Sequence, residues 1–258
     1  MTHFIFYKYQ GTGNDFIIID NRLNIFDKKN AKFISKLCER RFGIGADGLI
    51  LLESCDKTDF KMIYFNADGL ESSMCGNGGR CIVAFARFLK IIKNKCAFTA
   101  IDGIHYANIN NDVVKLQMKD VEQLDIYDSH TFLNTGSPHH VTMVKNASEV
   151  DVQTQGRKIR YGTPYGQQGT NVNFVEQVSA NTFKVRTYER GVEAETYSCG
   201  TGVTAVALAL HATKQSDQKK INIKTQGGEL SVEFDYIQGC YRNIWLTGPT
   251  ALLYKGEV

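Results

Sequence analysis

Two kinds of apolar run alternate along the chain. The first kind is short, aromatic and β-branched, as a strand requires: FIIID (Phe16 to Asp20), FKMIYFN (Phe60 to Asn66), VVKLQM (Val113 to Met118), VTMV (Val141 to Val144), NVNFVEQV (Asn171 to Val178), TFKVRTY (Phe183 within Thr182 to Tyr188) and YRNIWLTG (Tyr241 to Gly248). The second kind is longer and reads as helix: RCIVAFARFLK (Arg80 to Lys90) and VTAVALALHA (Val203 to Ala212). The latter is apolar almost all round, and the former nearly so apart from Arg80 and Arg87, a pattern that predicts buried helices. Each helical run follows a cysteine-glycine turn, CGNG at Cys75 and CGTG at Cys199. Between the second helix and the next strand, KQSDQKK (Lys214 to Lys220) reads as a solvated connection.

The pattern repeats once. Cys75 and Cys199 are 199 − 75 = 124 residues apart, and the same offset carries Tyr64 onto Tyr188 and Gly103 onto Gly227. It also sets GTGNDFIII (from Gly11) opposite NTGSPHHVTMV (Asn134 to Val144). Four anchors at one offset imply two homologous halves. The fold expected is therefore α/β of the α+β type: two pseudo-symmetric lobes, each a mostly antiparallel sheet curled around a central helix, with an active-site cleft between them.

Composition narrows the class of function. With 43% hydrophobic and 22% charged residues, the 258-residue chain can build real cores. A net charge of +3 is too weak to argue for nucleic acid, and the absence of a long apolar run argues against a membrane span. The N-terminal run MTHFIFYKYQGTGNDF has neither a long apolar region nor a small-residue cleavage site, so a cytoplasmic location is expected. Seven cysteines, an odd number, argue against a disulfide framework, and no C-x-x-C pair suggests a structural metal. About five of the seven are expected to be inert core residues.

Cys75 and Cys199 are the exceptions. A glycine-rich turn that opens a helix leaves its first N–H groups free to bind an anion, and the same donors favour a thiolate at that position. Two such thiols related by a pseudo-twofold can flank one carbon acid. One removes the α-proton and the other returns a proton to the opposite face, inverting configuration without a cofactor. No G-x-G-x-x-G fingerprint in a βαβ unit indicates a dinucleotide, and nothing nominates a lysine for pyridoxal phosphate.

The runs GTGNDFIIID, RFGIGADGLI, YFNADGLESSMCGNGGRC, TGSPHHV, GTNVNFV, YERGVEAETYSCGTGV and WLTGPTALLYKGE resemble the diaminopimelate epimerases, in the order that family shows them and over the chain from Phe6 to Glu257. The resemblance implies a cofactor-independent two-base enzyme that interconverts LL- and meso-2,6-diaminopimelate in bacterial lysine and peptidoglycan-precursor synthesis, and a homodimer. It also implies that the last strand returns to the first lobe, so residues 1–118 with 249–258 form one lobe and 119–248 the other. Cys75 and Cys199 match the two catalytic thiols. His139 and Glu189 match groups that tune them. Asn14, Asn66, Gly76, Asn77, Asn171, Glu189, Arg190, Gly200 and Thr201 match substrate-binding positions. Arg190 suits a carboxylate through its planar fork.

Plainer readings accompany these assignments. His139 beside His140 also reads as a strand-start histidine, Glu189-Arg190 as a surface pair, and asparagines favour turns generally. Two positions depart from the family pattern: Gly48 stands where some members carry glutamine, and Ser137 where many carry asparagine, which touches fine specificity and not reaction type. The alternatives are a proline or hydroxyproline racemase of the same fold, a non-catalytic amino-acid binding protein and a thiol redox sensor. The racemases typically carry histidine where Asn77 stands, and the phenazine-biosynthesis isomerases lack the cysteine pair.

Overall fold

The computed structural model describes residues 3–258; Met1 and Thr2, which open the first lobe and the run read for a secretory signal, lie outside the described residues. The chain is a mixed α/β protein that divides into two compact units, Met1–Leu116 with Gly248–Val258, and Gln117–Thr247.

The first unit contains β1 (Ile5–Gly11), β2 (Asn14–Asp20), α1 (Ala31–Cys38), β3 (Gly48–Glu53), β4 (Phe60–Asn66), α2 (Gly76–Phe88), β5 (Lys95–Ala100), β6 (Gly103–Asn110) and β7 (Val113–Gln117). A C-terminal strand (Ala251–Glu257) returns to pair with β1. From that strand the pairing runs antiparallel to β1 and on to β2, parallel to β3, antiparallel to β4, parallel to β5, then antiparallel to β6 and β7. Helix α2 packs against β1, β2, β3, β4 and β6, so the sheet wraps it.

The second unit contains β8 (Leu124–Ile126), β9 (Thr131–Asn134), β10 (Pro138–Met143), α3 (Val152–Arg160), β11 (Asn171–Ser179), β12 (Thr182–Glu189), β13 (Ala194–Thr196), α4 (Gly200–Ala212), β14 (Lys220–Thr225), β15 (Gly228–Ile237) and β16 (Cys240–Pro249). From β8 the order is antiparallel to β9 and β10, parallel to β11, antiparallel to β12, parallel to β14, then antiparallel to β15 and β16. The succession of orientations is the same as in the first unit, and α4 packs against β9, β10, β11, β14 and β15. The expected repeat of a mostly antiparallel sheet around a central helix is thus present in each unit.

One anchor of the repeat is displaced. Tyr64 pairs with Ile50, so a strict offset would set Tyr188 opposite residue 50 + 124 = 174; instead Tyr188 pairs with Val172, and Phe174 with Arg186. A slip of two residues keeps every side chain on its original face, which is why the hydrophobic pattern does not reveal it.

Both central helices begin earlier than their apolar runs, at Gly76 and Gly200. Glycine is a poor helix former, but here it is required by close packing. A Cβ on Gly78 would lie 3.0 Å from Ile50 Cδ1, one on Gly79 3.1 Å from Leu116 Cδ2, and one on Gly202 2.6 Å from Asn173 Oδ1. The other two helices, α1 and α3, cover outer faces. Helix α1 joins a core cluster of Phe4, Phe26, Ile34, Leu37 and Phe65, and α3 packs on β11, β12 and β13, with Gly156 leaving room for Tyr188.

Candidate active site

The outer and central helices start differently. Asn30 caps α1 by accepting from the Phe33 N–H, and Asp151 caps α3 by accepting from Thr154. The cap positions of α2 and α4 are Cys75 and Cys199, and neither makes a side-chain capping bond. Each sulfur thus sits at a helix start that its own side chain does not cap, the kind of position where backbone N–H groups suit an anion. Gly76, Asn77, Gly200 and Thr201 supply these backbone positions.

In the first unit, Cys75 Sγ lies 3.5 Å from Asn14 Oδ1, which also accepts from Asn77 Nδ2 at 3.2 Å. Asn14 is oriented from behind, because its Nδ2 donates to Asp47 Oδ2 at 2.6 Å. Asp47 belongs to a charged cluster in which Arg40 bridges it to Asp15 and Lys8 pairs with Asp15 at 2.7 Å. Burial pushes the Asp15 carboxyl up, but hydrogen bonds from Arg40 and Lys8 outweigh it and hold the group well below the usual carboxylate range. Asn66 ends β4, where its carbonyl accepts from Gly69 and its N–H donates to Leu70.

Beneath this group Arg80 is fully buried and donates to Thr12 Oγ1 at 3.0 Å, in the turn that also carries Asn14. Its Nε and Nη1 find no protein partner among the described residues. Burial lowers the Arg80 guanidinium, while Cys81 and Cys75 lie close enough to oppose that shift. The sequence reading treated Arg80 only as a break in an apolar helix face; a cation in an otherwise apolar run directly after a glycine-rich turn was the available signal.

In the second unit, Cys199 Sγ lies 3.5 Å from Thr201 Oγ1, which lies 3.0 Å from His139 Nε2. His139 Nδ1 lies 3.2 Å from Asn173 Nδ2. His139 is fully buried, and burial, with the Arg190 charge adding to it, pushes the imidazole down to about 3. It is neutral across the physiological range. Arg190 and Asn171 form a second group: the Arg190 N–H donates to Asn171 Oδ1 at 2.9 Å, and Asn171 Nδ2 donates to Ser137 Oγ at 2.9 Å and to the Pro138 carbonyl. Arg190 Nη2 also reaches Ser137 Oγ at 3.5 Å, and Nη1 the Gln168 carbonyl at 3.2 Å. Glu189, which ends β12, accepts from Thr196 Oγ1 at 2.8 Å.

Both departures from the family pattern have local causes. A Cβ at Gly48 would lie 2.5 Å from Tyr64 Cε2 and 2.6 Å from the Phe65 carbonyl, so any side chain there displaces Tyr64. Ser137 serves as the acceptor that ties Asn171 to Arg190, a role within reach of its short hydroxyl. Of the remaining thiols, Cys38, Cys81 and Cys96 are buried, and burial pushes them up to about 11, 12 and 12. Cys55 departs from the expectation of inert filler. A hydrogen bond with Thr58, aided by others from the Lys57 backbone and Thr99, pulls it down to about 7. Among the described residues no group of three or more His, Cys, Asp or Glu could hold a metal ion, and no helix is long and apolar enough to cross a membrane.

The chain matches the diaminopimelate epimerase family over residues 6–123 and 131–249. It is 60% identical over 253 residues to a diaminopimelate epimerase of Flavobacterium psychrophilum, covering 98% of this chain and 99% of that one. The chain belongs to the diaminopimelate epimerase family. An epimerase of the same name from Aquifex aeolicus is 40% identical over 98% of this chain and 97% of its own. Among solved structures, a phenazine biosynthesis protein of the PhzF family from Bacillus anthracis aligns with a TM-score of 0.79 at 14% identity, covering 100% of this chain and 99% of that one. A hydroxyproline epimerase from Agrobacterium vitis aligns with a TM-score of 0.72 at 13% identity over 100% and 92%. At such identities these two share the fold alone with this member of the diaminopimelate epimerase family.

Proposed function

We propose that the chain interconverts LL- and meso-2,6-diaminopimelate by a two-base mechanism in which Cys75 and Cys199 are the catalytic residues. The observation that carries this reading is the pair of cysteines at the starts of the two central helices, neither capping its helix through its side chain, in a chain 60% identical to a curated diaminopimelate epimerase. One cysteine acts as thiolate and takes the α-proton. The other, as thiol, donates its proton to the opposite face of the same carbon. One S–H bond forms, one breaks, and the α-carbon inverts; exchange with solvent then restores the starting protonation. The scheme requires one α-carbon to come within reach of both sulfurs.

Charge develops on the substrate as the α-proton leaves, and helix-start N–H groups are donors that need no reorganisation to meet it. Asn14, Asn66, Asn77, Asn171, Glu189 and Arg190 bind the two amino-acid ends, Arg190 pairing with a carboxylate, and His139 and Glu189 tune the thiols. The reaction proceeds without pyridoxal phosphate. The reading extends to a cytoplasmic homodimer serving lysine and peptidoglycan-precursor synthesis, as the family resemblance implies.

The test is conversion of LL-diaminopimelate to the meso isomer by the reduced protein with no cofactor added, alongside L-proline and trans-4-hydroxy-L-proline under the same conditions. Turnover of diaminopimelate alone is expected. Turnover of a proline in its place would move the assignment to the racemases.

A further inference from the structure

Asn173 has no place among the residues assigned above, yet it is fully buried beside the Cys199 turn. Its side chain is oriented by two contacts independent of the histidine. Thr187 Oγ1 donates to Asn173 Oδ1 at 3.0 Å, and Asn173 Nδ2 donates to the His140 carbonyl at 3.0 Å. A carbonyl can only accept, so the nitrogen of this amide must be the atom on that side. The remaining Nδ2 hydrogen then faces His139 Nδ1 at 3.2 Å.

The consequence passes down a chain of groups. An Nδ1 that accepts from Asn173 cannot carry a proton, so neutral His139 is protonated on Nε2. That N–H faces Thr201 Oγ1 at 3.0 Å, which accepts it. The single Thr201 hydroxyl hydrogen is left to point elsewhere, and Cys199 Sγ lies 3.5 Å away. The direction of donation runs from Asn173 through His139 and Thr201 onto the sulfur. Gly202 keeps this path open, since a Cβ there would sit 2.6 Å from Asn173 Oδ1 and 3.3 Å from His139 Cε1. Burial, with the Arg190 charge adding to it, disfavours the doubly protonated ring and so preserves the single tautomer.

We propose that Asn173 is a positioning residue that fixes His139 as the Nε2–H tautomer, so that a directed chain of donors ends on Cys199 and supports its thiolate during turnover. At the corresponding place in the first unit the polarity is opposite, because Asn14 presents its carbonyl oxygen to Cys75, with Asp47 holding the amide that way. The two thiols are thus unequal: the surroundings of Cys199 donate to its sulfur, and Asn14 accepts from that of Cys75. This inference rests on the reading of Cys199 as a catalytic thiol, but its test reads the histidine directly.

The experiment is long-range proton–nitrogen NMR on the ¹⁵N-histidine-labelled, full-length protein without ligand, with the His139 signals assigned by their loss in His139→Gln. The Nε2–H tautomer is expected across neutral pH. In Asn173→Asp the carboxylate demands a hydrogen on Nδ1, so the tautomer is expected to switch. The value of kcat should then fall about 10-fold or more, with a smaller change in KM, by analogy with catalytic histidines held in the wrong tautomer. An Nδ1–H tautomer in the unsubstituted protein overturns the proposal even if Asn173→Asp fails to fold. So does a folded Asn173→Asp that keeps the Nε2–H form or full kcat. Full turnover by Cys199→Ser with the Nε2–H tautomer intact would instead sink the two-thiol reading.

Discussion

Replacing either Cys75 or Cys199 with serine is expected to lower epimerisation by on the order of 10⁴-fold, the upper end of what one positioned acid or base contributes. A serine hydroxyl is nearly isosteric with the thiol but is not ionised near neutral pH, so it can neither remove the α-proton as a base nor be restored as one. Each thiol must serve in both capacities over a full cycle, as base in one direction and acid in the other. Neither loss can therefore be covered by its counterpart. The measurement is the initial rate of meso-isomer formation from LL-diaminopimelate for each variant, with a melting curve to show that the fold is retained. The two changes are expected to be non-additive, because each single change already removes the complete reaction. Full turnover by either variant would contradict the two-base scheme.

The second large effect is expected at Arg190. Among the described residues its guanidinium reaches Ser137 Oγ at 3.5 Å and the Gln168 carbonyl at 3.2 Å, while its backbone N–H is fixed by Asn171. The protein therefore anchors the residue through its main chain and leaves the head group without a carboxylate partner among these contacts. Arg190→Ala should weaken substrate binding by about 3 kcal/mol, the cost of leaving a carboxylate without its charged partner, which corresponds to on the order of a 100-fold rise in KM. An unchanged KM would show that another residue holds the carboxylate. The same substitution also removes the charge that helps keep His139 neutral, but burial is the larger cause of that depression. A return of His139 to ordinary titration is therefore not expected.

Much of this was legible in the chain. The apolar runs located both central helices and the strands β2, β4, β7, β10, β11, β12 and β16, fewer than half of those present, and the 124-residue repeat anticipated that the halves would share one architecture. The helix starts were placed too late, because a glycine-rich stretch reads locally as a turn. Only the tertiary structure shows that Gly78, Gly79 and Gly202 are close-packing positions. Helices α1 and α3 were not anticipated, although Asn30 and Asp151 carried the cap signal that begins each. Both are short, and their burial depends on faces of the sheet that periodicity in a single segment cannot reveal.

The candidate site was legible to a different degree. The cysteines announced themselves through the repeat, and the asparagines and Arg190 through the family resemblance. The residues behind them did not. Asp47 matters only because it orients Asn14, Ser137 because it ties Asn171 to Arg190, Asn173 because it faces His139, and Arg80 because burial beneath the Cys75 turn leaves its charge facing that region. The first three roles depend on contacts between residues 33 or 34 positions apart, which no local pattern encodes. Cys55 combines both ranges: its thiol is pulled down first by Thr58, three residues along the same loop, then by the Lys57 backbone and by Thr99, which β5 brings to it from 44 positions away.

The central claim is that two thiols act on opposite faces of one carbon, and it is tested most directly by initial-rate conversion of LL-diaminopimelate in D₂O by the reduced, cofactor-free protein. The account predicts that the meso isomer first formed carries solvent deuterium at the inverted α-carbon while the unreacted LL isomer retains protium. Meso isomer formed with its original protium, or deuterium entering substrate and product together from the first turnovers, would point to a single base and contradict it.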